Sequence, residues 1–393
     1  MSEAGMGTLG ERIEATLDAL REQSQFRTLE NPQGINLYSN DYLGLAHDPR
    51  LKQATLEALA AGDSIGATGS RLLSGNSPEW EALESEFAEF AGTESALYFG
   101  SGYAANLGLI AAIAGPSDLI FSDALNHASL IDGIRLSDAK KVIYPHADLQ
   151  FLEAALCEHR RHAGTKLIVT ESVFSMEGDV APLARMADLA AAHGAELIVD
   201  EAHAVGVHGP GGRGICAALG LERRVFASVH TCGKALASAG AFVCGSGALR
   251  DFLINRARTF IFSTAMPPYL AAQIRAALAL ARTADEKRAH LRTISEILRT
   301  RLSAAGISCG RSCSQIIPIY LGTNDAALAV AACFQDAGFA VRAIRPPTVP
   351  AGTSRLRLSL TASLSLEEIH RLAAATEAAV RSLPQVASTS VHA

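Results

Sequence analysis

The sequence predicts an α/β protein in which helices cover both faces of a large, mostly parallel sheet, and a smaller α+β domain follows. Between residues 96 and 229, apolar segments of strand length alternate with segments of helical periodicity, which is the pattern of a parallel sheet. The last third of the chain instead mixes a few strands with two helices. The candidate strands of the large sheet are 96–99, 119–121, 141–144, 167–170, 196–199 and 225–229.

The remaining elements define three segments of the chain. Residues 1–49 carry a helix and a short strand that pack with the small domain, residues 50–270 form the large domain, and residues 271–393 form the small domain. The strands predicted outside the large sheet are 35–38, 316–321, 340–344 and 355–360. The predicted helices are 8–30, 51–61, 78–90, 104–114, 149–161, 182–193, 214–219, 268–301, 326–337 and 366–382.

The composition indicates a cytoplasmic enzyme. Of 393 residues, 49% are apolar and 19% are charged, which allows a large core and argues against disorder. A net charge of −6 without a basic block argues against a nucleic-acid partner. The N-terminus lacks a signal pattern, and no apolar run is long enough to cross a bilayer, so no membrane role is expected. Seven scattered cysteines suit a reducing compartment.

A lysine follows the last strand predicted for the large sheet. The segment 230–234 places Lys234 at the strand end, and small residues follow it. Burying an ammonium group is costly unless the group is paired or neutralised. Burial lowers the pKa of an amine and makes it a nucleophile that condenses with carbonyl groups. Taken alone, a lysine here could lie at the surface in a turn. The polar residues that follow the other predicted strands favour a reactive amine instead.

Polar side chains also follow the other strands, and the carboxyl ends of parallel strands are where open α/β sheets bind ligands. Asp200 could hold a protonated ring nitrogen and His203 a neighbouring ring oxygen; the alternatives are a turn-capping aspartate and a structural histidine. His127 could stack on a planar ring, although a lone loop histidine is more often structural or exposed. The polar residues at these strand ends are Asp123, His127, Glu171, Ser175, Asp200, His203, Thr231 and Lys234.

Three glycine-rich stretches bear on anion or partner binding. A strand, the turn 100–102 and a helix start form a candidate phosphate site, because free backbone N–H groups converge there; a packing turn is the alternative. The loop 66–76 either lets its backbone approach a ligand or another chain, or is a solvated surface loop. The segment 209–214 matches G-x-G-x-x-G only weakly, because it does not directly end a strand and no acidic residue follows about twenty positions on.

Taken together, the motifs resemble those of the α-oxoamine synthases, fold-type-I pyridoxal 5′-phosphate enzymes that condense an amino acid with an acyl thioester. The resemblance covers nearly the whole chain. It implies the aspartate-aminotransferase-like fold and a homodimer in which the loop 66–76 and residues 263–264 reach across to the partner. The stretches that carry the resemblance are 39–44, 126–129, 171–179, 200–203, 230–234 and 355–358.

The resemblance implies roles for individual residues. Lys234 binds the cofactor aldehyde, Asp200 pairs with the ring nitrogen, and His127 stacks on the ring. His203 and Ser175 contact the phenolic oxygen. The full cofactor-contacting set would be Gly102, Tyr103, His127, Ser175, Asp200, His203, Thr231 and Lys234, with Gly102, Tyr103 and Thr231 at the phosphate end. The substrate-contacting set would be Arg27, His127, Arg345 and Thr348, with Arg345 meeting the amino-acid carboxylate.

Within the family, the stretch 345–353 favours the member that condenses L-alanine with a pimeloyl thioester on coenzyme A or acyl carrier protein. Members that take glycine or serine, and make 5-aminolaevulinate, 2-amino-3-oxobutyrate or 3-ketosphinganine, share the large-domain motifs and remain alternatives. A non-catalytic partner subunit is a further alternative, against which Lys234, Asp200 and His203 argue together. The sequence departs from the family pattern at His230, Cys232 and Ala239, and none of these departures removes a catalytic group.

Overall fold

The computed structural model of the chain describes residues 8–62 and 64–383. Its contacts divide these residues into two compact units. The larger unit comprises residues 40–293 and 361–363; the smaller comprises the described residues up to Ser39, residues 294–360 and the described residues from Leu364 on. The predicted boundaries, 49/50 and 270/271, lie elsewhere, because the turn after Ser39 and the helix that begins at Pro268 pack within the larger unit.

Helices and strands alternate along most of the described chain. The helices are α1 (Leu9–Glu22), α2 (Pro49–Ala61), α3 (Pro78–Ala91), α4 (Gly102–Ile113), α5 (Ala128–Leu136), α6 (Leu149–Glu158), α7 (Leu183–His193), α8 (Ile215–Ala218), α9 (Gly247–Arg256), α10 (Arg258–Ile261), α11 (Pro268–Arg282), α12 (Asp285–Ala304), α13 (Asn324–Asp336) and α14 (Leu366–Arg381). The strands are β1 (Ile35–Asn36), β2 (Ser95–Phe99), β3 (Leu119–Asp123), β4 (Lys140–Tyr144), β5 (Lys166–Glu171), β6 (Ala195–Asp200), β7 (Ala227–Thr231), β8 (Ala241–Gly245), β9 (Ile316–Gly322), β10 (Phe339–Ala340), β11 (Ala343–Ile344) and β12 (Ser354–Ser359).

Seven of these strands form one sheet in the larger unit, in the order β2-β8-β7-β6-β5-β3-β4. Neighbours are parallel from β7 to β4, whereas β8 is antiparallel to both β7 and β2. The prediction of a large, mostly parallel sheet is therefore confirmed. The sequence prediction missed β8, which follows the lysine loop with no helix between. Within the described residues, no helix is both long enough and apolar enough to cross a bilayer.

Helices cover both faces of this sheet. His230 of β7 meets Phe87 of α3, with ring centroids 5.7 Å apart, whereas the next residue, Thr231, meets Gly102 at the start of α4. Because successive strand residues point to opposite faces, α3 and α4 lie on opposite sides of the sheet. On the α3 side, Phe87 stacks on Phe242 of β8 with ring centroids 3.9 Å apart. Burying such large apolar side chains on both faces is the main stabilising contribution, about 1.5–3 kcal/mol for each.

The smaller unit contains an antiparallel sheet in the order β11-β12-β9 and a short parallel pair, β1 with β10. The predicted strand 340–344 is two two-residue strands in the structure. A capping box starts α14, because the Ser365 hydroxyl accepts the N–H of Glu368 and the Glu368 carboxylate accepts the N–H of Ser365.

Two predicted helices differ in the structure: one is divided in two and the other ends early. The predicted helix 268–301 is divided into α11 and α12, because the buried Arg288 guanidinium donates to the last carbonyls of α11, those of Ala281 and Arg282. The predicted helix 8–30 ends at Glu22. Ser24 then adopts a φ of 52°, in the left-handed region that a helix does not use.

The loop 66–76 is anchored to the larger unit by a bidentate ion pair. Arg71 Nη1 and Nη2 donate to Glu84 Oε1 and Oε2 at 2.9 and 3.1 Å, and both side chains are at least nine-tenths buried. Glu84 Oε1 also accepts the N–H of Tyr98 on β2 at 2.9 Å. The buried carboxylate thus joins the loop, α3 and the sheet.

Replacing Arg71 with alanine should lower the free energy of unfolding by about 3–5 kcal/mol, because Glu84 would then be a buried charge without its main partner. Urea titration followed by fluorescence measures this change. Arg250→Ala is the matched control, since Arg250 Nη2 lies 4.0 Å from the same carboxylate and its side chain is 35% exposed. The control should lose less than about 1 kcal/mol; equal losses would show that the bidentate pair is not the anchor.

Candidate active site

The structure places Lys234 against His203 at the carboxyl ends of two neighbouring strands. Lys234 lies three residues beyond β7, and its Nζ is 2.8 Å from His203 Nε2 in the segment after β6. His203 is 4% exposed, and its Nδ1 is 2.7 Å from the Tyr42 hydroxyl. An amine that lies beside a buried imidazole can exchange protons with it and can bind a carbonyl compound.

Asp200 is the last residue of β6 and is buried. Its Oδ2 accepts from the Asn106 amide of α4 at 2.7 Å, and its Oδ1 accepts the N–H of Ala202 at 2.8 Å. Both partners donate hydrogen bonds to the carboxylate. A buried carboxylate at this strand end is suited to a protonated nitrogen of a bound ring.

The same amide links Asp200 to His127. Asn106 Nδ2 also donates to Ser129 Oγ at 3.0 Å, and Ser129 Oγ lies 2.8 Å from His127 Nδ1. The Ser129 N–H donates to His127 Nδ1 as well, so this ring nitrogen is an acceptor and the proton of the neutral ring is on Nε2. His127 caps α5, and its ring centroid is 6.3 Å from that of Tyr103 at 75°.

Glu171 at the end of β5 is a second buried acid beside Asp200. The two residues are register partners on neighbouring strands. Desolvation first, and then the charge of Asp200, hold the pKa of the Glu171 carboxyl well above its usual range. The carboxyl hydrogen-bonds to the backbone of His127. Burial and the adjacent acid thus favour the protonated form of Glu171, and its carboxyl helps to place His127.

The residues predicted for a phosphate meet at the start of α4. Ser101 caps this helix by accepting the N–H of Ala104 at 3.0 Å. A Cβ on Gly102 would lie 2.6 Å from Thr231 Cγ2, so only glycine fits between the helix start and β7. Tyr103 follows and donates from its hydroxyl to Asp132 on α5. A helix start with glycine and a threonine beside it suits a phosphate group.

A histidine between two carboxylates holds the loop that carries Ser175. His146 Nδ1 lies 3.0 Å from Asp123 Oδ1 after β3, and its Nε2 lies 3.0 Å from Asp179 Oδ2 in the loop 172–181. Burial alone would lower the pKa of His146, but its hydrogen bonds to both carboxylates raise this pKa to about 10. The imidazolium therefore connects the Ser175 loop to the sheet at neutral pH. Ser175 itself is buried.

The predicted substrate residues Arg27, Arg345 and Thr348 lie in the smaller unit. Arg27 Nη2 donates to Thr348 Oγ1 at 3.1 Å. The Arg345 guanidinium donates to the carbonyls of Ser24 and Phe26, and its Nε is buried with no hydrogen-bond partner among the described residues. Burial, and then the positive charge of Arg27, lower the pKa of Arg345. A guanidinium N–H without a partner is suited to a carboxylate.

The weak G-x-G-x-x-G match does not form an anion site. Glu201 Oε2 accepts the N–H of Ile215 at 2.8 Å, and Oε1 accepts that of Cys216 at 3.1 Å, so a carboxylate of the protein already occupies the start of α8. A Cβ on Gly214 would lie 1.6 Å from Glu201 Oε2, which explains the glycine. Burial raises the pKa of Glu201 to about 7. The sequence-based rejection of a dinucleotide site agrees with this geometry.

The departures beside Lys234 point away from the lysine. His230 is buried against α3, its Nε2 lies 2.9 Å from Ser228 Oγ, and its pKa is lowered to about 3, first by burial and then by Arg213. Cys232 is fully buried, which raises the pKa of its thiol well above its usual range. Both residues are neutral packing groups in the larger unit.

Sequence reasoning assigned no role to several residues that the structure places at the site. An asparagine within the small and apolar residues of α4 was a signal that Asn106 is paired inside the protein. Tyr42 lies within a stretch that carried the family resemblance, but its contact with a histidine 161 positions away has no local signal. Glu171 was noted only as a strand-end residue, and Ser129 only as part of the 126–129 stretch.

The groups at this site fit pyridoxal 5′-phosphate, the cofactor implied by the family resemblance. Lys234 offers an amine for the aldehyde, Asp200 offers a buried carboxylate for the ring nitrogen, and the helix start at Gly102 suits the phosphate. A strand-end lysine and aspartate on a mostly parallel sheet, with a glycine-started helix beside them, are typical of fold-type-I pyridoxal-phosphate enzymes.

Comparison with known proteins agrees with this class. A family model described as aminotransferase class I and II matches residues 32–375. The 8-amino-7-oxononanoate synthase of Anaeromyxobacter dehalogenans (strain 2CP-1 / ATCC BAA-258) is 44% identical over 98% of this chain and 98% of its own. The solved serine palmitoyltransferase of S. paucimobilis with bound PLP has a TM-score of 0.87 at 31% identity, covering 95% of this chain and 98% of its own. For the 8-amino-7-oxononanoate synthase of Francisella tularensis, the TM-score is 0.76 at 29% identity, with 88% and 98% covered.

The chain therefore belongs to the aminotransferase class I and II family and, within it, to the 8-amino-7-oxononanoate synthases.

The His146 pair gives a pH prediction. The folded-state pKa of about 10 exceeds the usual value of 6.5, so the pair stabilises fully below pH 6.5 and its contribution is lost as the pH rises through 10. The difference in free energy of unfolding between wild type and His146→Gln should therefore fall by up to about 1.4 kcal/mol per pH unit between those values. Denaturant titrations at several pH values measure this difference. A constant difference from pH 6 to 10 would contradict the charged pair.

Proposed function

We propose that the chain condenses L-alanine with a pimeloyl thioester, releasing carbon dioxide and the free thiol and giving 8-amino-7-oxononanoate for biotin synthesis. The observation that carries the proposal is the Lys234–His203 pair beside the buried Asp200, in a chain that is 44% identical to a protein named for this product. The carrier of the acyl group, coenzyme A or acyl carrier protein, stays open. We also propose a cytoplasmic location, which the free thiols of the scattered cysteines support.

Pyridoxal 5′-phosphate, when bound, supplies an aldehyde for amines and a ring that delocalises the electrons of a carbanion. Lys234 would hold the aldehyde, and its amine would be placed to take the proton from the α-carbon of the amino acid. Asp200 keeps a proton on the ring nitrogen, which strengthens the electron withdrawal. His127 covers the ring and can hydrogen-bond to the substrate carboxylate or the developing oxyanion.

The remaining assignments concern the phosphate and phenolic oxygen of the cofactor and the carboxylate of the amino acid. Gly102, Tyr103 and Thr231 would serve the phosphate, and the convergence of Gly102 and Thr231 at the start of α4 supports this. Arg345 would bind the amino-acid carboxylate, which its unpartnered Nε supports. Arg27 and Thr348, hydrogen-bonded to each other, would act beside Arg345. Ser175 and His203 would face the phenolic oxygen.

The main alternatives within the class differ in the amino acid. The fold is shared with a serine palmitoyltransferase at 31% identity, so the backbone alone does not select the substrate. Identity to the curated 8-amino-7-oxononanoate synthases of Anaeromyxobacter dehalogenans and Burkholderia mallei is higher, 44% and 49%, whereas identity to the solved one of Francisella tularensis is 29%. A glycine-using enzyme that makes 5-aminolaevulinate or 2-amino-3-oxobutyrate remains a second candidate. An inactive partner subunit is disfavoured by the complete set of Lys234, His203 and Asp200.

The deciding assay incubates the purified protein with pimeloyl-coenzyme A and, in parallel, L-alanine, glycine or L-serine, and identifies products by mass spectrometry. We expect 8-amino-7-oxononanoate from L-alanine and little product from the other two. The same three amino acids with acetyl-, succinyl- and palmitoyl-coenzyme A test the alternatives. Product from glycine or serine alone would reassign the substrate.

Lys234→Ala should fold normally and lose turnover by about three orders of magnitude or more, because the protein loses both its aldehyde-binding amine and the base for the α-proton. Lys166→Ala is the control, since Lys166 is also a lysine of the larger unit but begins β5, at the opposite end of the sheet from Lys234, and donates to the carbonyl of His193 at the end of α7. Borohydride treatment followed by peptide mass spectrometry should fix cofactor mass on the peptide containing Lys234. Near-normal turnover in Lys234→Ala would rule out the mechanism.

We further propose a homodimer formed through the loop 66–76 and residues 263–264. Ser70 forms an isolated bridge with Thr264, so the two segments lie side by side. Large apolar side chains nearby are exposed, with Leu73 83%, Ile65 78% and Phe262 71% exposed. An exposed apolar patch of this kind supports a protein interface.

Sedimentation should find a particle of twice 41.2 kDa for the wild type. Leu73→Glu together with Phe262→Glu should shift it to the monomer and reduce turnover, because charged side chains oppose burial in an apolar interface. Leu219→Glu, which changes an exposed leucine of the same unit outside these segments, is the control and should stay dimeric. A wild-type monomer with full activity would refute the proposal.

A further inference from the structure

Lys234 belongs to a hydrogen-bonded series that also includes Asn40, Tyr42 and His203. The Tyr42 hydroxyl is 3.0 Å from Asn40 Oδ1 and 2.7 Å from His203 Nδ1, and His203 Nε2 is 2.8 Å from Lys234 Nζ. Tyr42 is fully buried, and all four residues belong to the larger unit. A buried series of this kind restricts the proton positions on its members.

The donor and acceptor roles follow from Asn40. Its Oδ1 can only accept, so the Tyr42 O–H donates to it and the Tyr42 oxygen accepts from its other neighbour. His203 Nδ1 therefore carries the proton shared with Tyr42. A neutral imidazole that is protonated on Nδ1 has its lone pair on Nε2, which here faces Lys234 Nζ.

The backbone around Tyr42 is held by bonds that do not use the hydroxyl. The Asp41 carboxylate accepts the N–H groups of Leu45 and Ala46 at 2.8 and 3.0 Å. The Tyr42 carbonyl accepts the N–H of Ala362 at 2.8 Å. Tyr42→Phe should therefore preserve the turn while it removes the contacts of the hydroxyl with His203 and Asn40.

We propose that Asn40 and Tyr42 are positioning residues that keep Nε2 of His203 unprotonated, so that His203 takes the ammonium proton of Lys234 before the amine bonds to an aldehyde. This inference rests on the function proposed above. Lys234 passes one proton to His203, and its amine forms a C–N bond with the aldehyde carbon. His203 then returns the proton to the displaced oxygen, which departs as water with a second hydrogen from the amine.

Other ionisable groups lie around this series and affect the protonation of Lys234. They are unchanged in a Tyr42→Phe variant, so a difference between the pH profiles of the two proteins reports on the hydroxyl. These groups are Glu171, His127 and Asp200 at the strand ends and, from α12, Lys287, whose Nζ donates to the Leu43 carbonyl.

The test measures how fast Lys234 becomes covalently attached when pyridoxal 5′-phosphate is added to cofactor-free protein. Visible absorbance gives the time course, and borohydride trapping with peptide mass spectrometry confirms Lys234 as the site. At pH 7, Tyr42→Phe should react about tenfold or more slowly, because proton acceptance by a placed base contributes at least that factor. Well above pH 7, where solvent removes a growing share of ammonium protons, the two rates should converge.

Two further variants separate proton placement from a structural effect. Asn40→Leu removes the acceptor that orients the Tyr42 hydroxyl, so it should show the same slow reaction at pH 7 with Tyr42 intact. Tyr144→Phe alters another fully buried tyrosine, on β4 at the sheet edge, and should react like the wild type.

Three results would overturn the inference. Equal rates for wild type and Tyr42→Phe at pH 7 would remove the role of the hydroxyl. A slowing of Tyr42→Phe by the same factor at every pH would indicate a distorted site rather than proton placement. If the wild type attaches no cofactor, the proposed function is wrong, and this inference with it. In that case every protein in the series would fail to attach cofactor, whereas failure of the inference alone leaves the wild type reactive.

Discussion

The site depends on one buried negative charge, the carboxylate of Asp200 at the end of β6. A carboxylate in this position is tolerated only if the protein supplies partners for it. Asn106 from α4 and the N–H of Ala202 supply them, at 2.7 and 2.8 Å. The charge therefore fixes where α4 meets the sheet. Burial and, after it, this charge hold the pKa of Glu171, the neighbour of Asp200 across the β5–β6 register, well above its usual range.

The same charge helps to orient His127, the residue proposed to cover the cofactor ring. Asn106 uses both hydrogens of its amide, one toward Asp200 and one toward Ser129, and Ser129 in turn sets the acceptor nitrogen of His127. A single asparagine thus connects Asp200, which is proposed to pair with the ring nitrogen of the cofactor, to His127, which is proposed to stack on the ring. Loss of this amide would leave a buried carboxylate short of a partner, and it would leave the Ser129 hydroxyl, which lies against His127 Nδ1, without the Asn106 donor.

The sequence was informative where chemistry follows local pattern. Strand ends in an alternating α/β chain converge, so Asp200, His203 and Lys234 could be assigned to one site before any coordinates. The contacts of Tyr42 with His203 and of Asn106 with Asp200 join residues 161 and 94 positions apart, and nothing in a short window specifies such pairings. The division between α11 and α12 has no glycine or proline signal; the buried Arg288 guanidinium lies there and donates to the carbonyl of Ala281, at the end of α11, and to that of Gly206, 82 positions away.

The starts of α4 and α8 show that a glycine-containing motif predicts an anion site only when the side chains next to it are known. Both α4 and α8 begin after glycine-containing turns, and each presents backbone N–H groups to whatever lies in front of it. At α8 the Glu201 carboxylate accepts two of these groups, so the anion that the helix start prefers is already part of the protein. At α4 the side chains that the described residues place at the helix start, those of Ser101 and Thr231, carry no charge. This difference in charge, rather than the glycine spacing, supports the proposal that the cofactor phosphate binds at α4, beside the strand that leads to Lys234.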